Sequence, residues 1–139
     1  MQYNMDNSQT SGKFSKISVL VIEDEMLVYF LIEDILHEVG CADVQHANNI
    51  EGAMSCIAEK RPDIAILDMN LGGRRCDPVA ACLDEMGIPI IFSTGYGRAD
   101  IPEHWQGRPT IEKPFTTSGF LTLLEAELTV LQSPRGSGD

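Results

Sequence analysis

The stretch ISVLVIEDE at residues 17–25 joins a buried strand to a charged turn. Ile17–Ile22 is a near-continuous run rich in β-branched residues, as expected of a strand covered on both faces. It stops at three acids, Glu23, Asp24 and Glu25, and helical spacing begins at once. Over Glu25–Gly40 the residues Val28, Leu31, Ile32, Ile35 and Val39 share one face, and Gly40 supplies the stop. A buried strand that leads directly into an amphipathic helix is the opening of a β–α unit.

The same alternation continues outward. Ala42–His46 reads as a short second strand, and Asn49 caps a helix from Ile50 to Lys60 that Arg61-Pro62 ends. Ile64–Leu67 is a third strand. Asp77-Pro78 has the form of a cap with a first-turn proline, opening a helix with Val79, Cys82, Leu83 and Met86 inward. Ile88–Phe92 and Thr110–Glu112 are the fourth and fifth strands, and Thr117–Leu131 is a last helix burying Leu121, Leu124, Leu128 and Leu131. Between them Gly97–Gly107 holds Pro102 and two glycines, so any helix there is short and loosely held. Five β–α units in series predict an α/β fold with a doubly wound, five-stranded parallel sheet, flavodoxin-like, in the order 2-1-3-4-5. The expected organisation is a flexible tail over 1–15, one domain over 16–132 and a second tail over 133–139.

Composition narrows the class. The 139 residues are 43% hydrophobic and 22% charged, a globular balance. No apolar run approaches the ~20 residues that cross a bilayer, and Met1–Lys16 lacks the apolar segment of a secretory signal. A cytoplasmic protein that does not enter membranes is expected. The four cysteines form no C-x-x-C pair and no zinc-like pattern with His37, His46 or His104, so they read as free thiols. A net charge of −11 without any Lys/Arg cluster argues against nucleic acid as a partner.

In such sheets ligands bind at the carboxyl ends of the strands. Here those ends carry Glu23-Asp24-Glu25, Asp68, Ser93-Thr94-Gly95 and Lys113-Pro114. Glu23, Asp24 and Asp68 converge if the strand order holds, and like charges raise one another's pKa unless a cation joins them. Lys113 is one candidate cation and Mg²⁺, which prefers oxygen ligands, is the other. A carboxylate beside a metal, an ammonium and a hydroxyl can act as nucleophile toward a phosphoryl group.

The combination Glu23-Asp24, Asp68, Thr94 and Lys113-Pro114 resembles the receiver domain of response regulators, over roughly Lys16 to Leu131. The run Phe92-Ser93-Thr94-Gly95-Tyr96 is similar to the "FAT GUY" receivers of alphaproteobacteria. The resemblance implies that Asp68 accepts a phosphoryl group from a sensor histidine kinase or phosphotransfer protein, with Thr94 and Lys113 assisting. It implies Mg²⁺ on Asp24, Asp68 and the Asn70 backbone carbonyl, with Glu23 holding it through water. It implies a cis Lys113–Pro114 bond, a role for Tyr96 in phosphate lifetime, and kinase docking through Leu27 and Phe30. One position departs from the pattern: receivers carry an aromatic residue three before the lysine, where this chain has Thr110. The usual threonine–aromatic switch is therefore absent, and ordering of the Gly95–Gly107 segment is the expected substitute.

The resulting expectation is a stand-alone, monomeric receiver that passes its signal to a downstream protein, or acts as a phosphate shuttle or sink, and is not an enzyme in the usual sense. A phosphorylation-independent docking module is the alternative that the missing aromatic keeps open. A Mg²⁺-dependent aspartyl phosphohydrolase needs an Asp-x-Asp, and Asn70 fills its second position. A flavin-binding relative needs a phosphate-cradling loop after the first strand, where three acids stand instead.

Overall fold

A computed structural model describes residues 14–132, with side chains through 129. Of the tails read from the sequence over 1–15 and 133–139, residues 1–13 and 133–139 lie outside the described residues. Five strands form one parallel sheet: β1 Ser18–Ile22, β2 Asp43–Ala47, β3 Ile64–Asp68, β4 Ile90–Thr94 and β5 Thr110–Glu112, in the order β2-β1-β3-β4-β5. Among the described residues, helices α1 Met26–Glu38, α2 Ile50–Glu59, α3 Asp77–Glu85 and α4 Thr117–Gln132 cover it. This is the doubly wound, flavodoxin-like arrangement expected from the sequence.

Alternation along the strands divides the core in two. Leu20, Ile22, Ala65, Leu67, Ile90 and Phe92 pack toward α2 and α3, with Ala53, Ile57, Val79 and Leu83. Val19, Val21, Ile64, Ile66 and Ile91 pack toward α1 and α4, with Ile32, Ile35, Leu36, Phe120 and Leu124. Each buried aliphatic side chain of this kind contributes about 1.5–3 kcal/mol by leaving water. Phe14, placed in the tail by the sequence reading, is 1% exposed and joins the second cluster. Both Cys41 and Cys76 are buried, and all four cysteines carry free thiols.

Several boundaries differ from expectation. Strand β4 starts two residues later, after Pro89, because proline has no N–H for the ladder; its carbonyl instead accepts from Ala65 N–H at 3.0 Å. Helix α3 begins at Asp77 itself, and Cys76 is the residue before it. Helix α1 is turned on its axis: Tyr29 is buried while Leu31 is exposed. The Tyr29 ring stacks on His46 (centroids 3.8 Å apart) and its hydroxyl donates to Glu33 at 3.1 Å, so its polar end is satisfied as the ring leaves water. Helix α4 buries Phe120 with Leu124 and Leu128, Leu121 is half-buried, and the Leu131 side chain is outside the described atoms.

The stretch after β4 folds as two single 3₁₀ turns, Arg98–Asp100 and Glu103–Trp105. It is anchored by Ile101 and Trp105, both buried, the latter against Phe92. Arg108 lies over the Trp105 ring and pairs with Asp84 of α3 at 2.5 Å.

Candidate functional site

Strand register brings the acids together. Pairing of β1 with β3 ends at Ile22↔Leu67, which sets Glu23 level with Asp68 on the next step. Asp68 in turn faces Ser93 of β4, and Thr94 faces Glu112 of β5, so Lys113 emerges just past the sheet edge. The Lys113 N–H donates to the Thr94 carbonyl at 2.7 Å, and the Lys113–Pro114 bond is cis.

Lys113 is the hub of the resulting cluster. Its Nζ lies 2.7 Å from Glu25 Oε1, 3.1 Å from Asp68 Oδ2 and 3.3 Å from Glu23 Oε1. Glu23 and Asp68 are almost wholly buried, at 1% and 5% exposure. Burial first, and the Asp68 charge second, push the Glu23 carboxyl up to about 7, against the pull of the Glu25 N–H and Lys113. For Lys113, burial lowers the pKa, but contact with Glu25 and the charges of Asp68 and Glu23 outweigh it and raise the net value. The site is a concentrated negative charge that one ammonium only partly neutralises.

Asp24 takes a different direction. Its Oδ2 accepts from the Gly72 N–H at 2.9 Å. That amide is placed by a small antiparallel hairpin, Asn70–Leu71 with Arg74–Arg75, which the sequence reading missed. Gly72 and Gly73 both have positive φ, the requirement of a tight two-residue hairpin turn. The Asn70 N–H donates to Asp68 Oδ1 at 3.1 Å, while its buried Oδ1 has no partner among the described residues.

Asp24, Glu25, Asp68, Asn70, Tyr96 and Lys113 line a cavity of about 580 Å³ at the strand ends. The closest carboxylate group is Glu23, Glu25 and Asp68, whose oxygens lie within 4.8 Å of one another. Glu25 therefore belongs to the cluster, although the sequence reading counted only Glu23, Asp24 and Asp68 among the converging carboxylates. Thr94 is buried; its hydroxyl accepts from the Tyr96 N–H at 3.0 Å and faces Gly97 O and Asp100 Oδ2 at 3.4 and 3.5 Å. Tyr96 is exposed at the cavity wall. Leu27 and Phe30, 84% and 50% exposed, lie on α1 together with exposed Met26 and Leu31.

The donor set fits a hard divalent cation. The carboxylates at the cavity, Glu23, Asp24, Glu25 and Asp68, offer only oxygen, their charge exceeds what Lys113 neutralises, and the unpartnered Asn70 Oδ1 leaves further acceptor capacity beside them.

The acidic pocket with its buried aspartate and lysine, at the strand ends of a 2-1-3-4-5 sheet, places the chain among flavodoxin-like α/β domains with a strand-end site. The chain belongs to the response regulator receiver domain family, which matches residues 19–124. It is 27% identical over 124 residues to the nitrogen assimilation regulatory protein NtrX of Azorhizobium caulinodans, covering 84% of this chain and 27% of that one. It is 27% identical over 86 residues to sporulation initiation phosphotransferase F of Bacillus subtilis, covering 60% of this chain and 68% of that one. The solution structure of SdrG from Sphingomonas melonis Fr1 matches with 34% identity and a TM-score of 0.72, over 79% of this chain and 94% of that one. The chain thus spans only about a quarter of the length of NtrX.

Proposed function

We propose that this receiver takes a phosphoryl group onto Asp68 from a histidine kinase or phosphotransfer partner, in the manner of the "FAT GUY" group. The observation that carries the reading is the buried Asp68 carboxylate with Lys113 Nζ at 3.1 Å, at the floor of an open acidic cavity. An Asp68 carboxylate oxygen forms the new bond to phosphorus, and the electron pair of the broken bond leaves with the donor's nitrogen or oxygen. Lys113 meets the negative charge on the phosphoryl oxygens, and Thr94 turns its hydroxyl from its own loop toward them. Asp24 and Asp68, the Asn70 carbonyl and, through water, Glu23 would hold Mg²⁺, which when bound supplies charge neutralisation for the transferred group. Tyr96, at the cavity wall, tunes the access of water and so the lifetime of the acyl phosphate.

Leu27 and Phe30 offer an exposed apolar strip for the partner's helices, and a downstream protein reads the phosphorylated form. The test is the mass of the intact protein after incubation with acetyl phosphate and Mg²⁺, beside Asp68→Asn. One Mg²⁺-dependent phosphoryl adduct, absent from the variant, is expected. No adduct from acetyl phosphate or from a partner kinase would favour the docking-module alternative.

A further inference from the structure

Lys113 has three ammonium hydrogens, and three carboxylates sit around them. The nearest, Glu25 at 2.7 Å, also has the most exposed side chain, at 62% against 1% for that of Glu23 and 7% for that of Asp68. Glu25 precedes α1 at its N-cap, where a side chain usually accepts from the first turn. It makes no such bond. Its backbone N–H is held instead by Glu23 Oε2 at 3.0 Å, and its side chain reaches over the cavity to Lys113.

The three partners differ in what phosphorylation does to them. Glu23 is buried and stays. Asp68 becomes an acyl phosphate and loses its charge, while the new group brings two negative charges or nearly so. Glu25 alone is an exposed competitor that solvent can receive. We infer that Glu25 is a positioning residue for phosphoryl transfer: it holds Lys113 in the resting protein and must release it before the ammonium can meet the incoming phosphoryl oxygens. This rests on Asp68 as the phosphoacceptor. Once the phosphoryl group is in place Glu25 is off Lys113, so it acts on formation of the acyl phosphate and not on its decay.

Two variants separate contact from charge. Glu25→Gln keeps the reach and removes the charge; Glu25→Asp keeps the charge and shortens the arm. Each is incubated with acetyl phosphate and Mg²⁺, adduct formation is followed by intact mass, and decay is followed after the donor is removed. Both variants should form the adduct about two- to fivefold faster than the parent, the scale of one exposed ion pair, with unchanged decay. Acceleration in Glu25→Gln alone would mean that only the field of the pocket matters, and would overturn the contact. Unchanged or slower formation in both, or formation and decay moving in parallel, would overturn it as well. No adduct on the parent, even from its kinase, would instead defeat the phosphoacceptor reading on which the inference stands.

Discussion

At the scale of single residues, the site is governed by the difference between a buried acid and an exposed one. Glu23 holds its proton in the folded protein up to about pH 7, whereas an unfolded glutamate releases it near 4.5. Between those values the folded state binds more protons than the unfolded, so stability falls as pH rises through that window. Glu23→Gln should therefore stabilise the metal-free protein at pH 8 by on the order of 1–2 kcal/mol, and the gain should shrink toward pH 5. Urea unfolding at the two pH values checks this; an equal gain at both would reject the assignment. Cys76 illustrates burial of another kind. First burial, then the charges of Asp68, Asp24 and Asp77, raise its thiol to about 12. It should resist iodoacetamide in the native protein while half-buried Cys56 and Cys82 react first, as peptide mass mapping would show.

Among the elements, α1 and the segment after β4 carry the functional load. Helix α1 presents Met26, Leu27, Phe30 and Leu31 to solvent because Tyr29, stacked on His46, turns the opposite side inward. If the strip is the docking face, Phe30→Ala should slow transfer from the partner kinase roughly tenfold, and slow transfer from acetyl phosphate much less. Equal slowing with both donors would place the defect in the pocket instead. The 3₁₀ segment is tied in from two sides. Arg75 of the hairpin donates to Asp100 Oδ1 at 3.3 Å and Asp100 O at 3.1 Å, and Arg108 holds Asp84. Asp100 Oδ2 also faces the Thr94 hydroxyl, so movement of that hydroxyl toward a phosphoryl group alters the segment's support. Amide exchange over residues 97–107 should change on phosphorylation; identical protection before and after would rule the segment out as the reporter.

For the whole molecule, a sheet of parallel strands delivers the site by register alone. The carboxyl ends of β1, β3, β4 and β5 lie side by side, and each contributes at least one residue to the same cavity. Among the described residues no helix is long and apolar enough to cross a membrane. Because several carboxylates repel one another in the folded state, a bound divalent cation should stabilise the entire domain. Mg²⁺ in excess of its dissociation constant is expected to raise the melting temperature, and Asp24→Asn should reduce the rise. A rise that Asp24→Asn leaves intact would remove Asp24 from the ligand set.

The sequence by itself determined the five strands, their order and the meeting of Glu23 and Asp68 with Lys113 at the strand ends. Buried parallel strands must be continuous apolar runs, and right-handed crossovers leave few ways to arrange them. What it left open was the direction of individual side chains at the loop ends. Asp24 turns to an amide 48 residues away and Glu25 to an ammonium 88 residues away, and no local spacing encodes either partner. The inward turn of Tyr29 in place of Leu31 and the burial of Phe14 have the same cause. Hydrophobic periodicity gives a face to within a residue or so, whereas the final choice follows from which neighbours, distant in the chain, complete the packing and the hydrogen bonds.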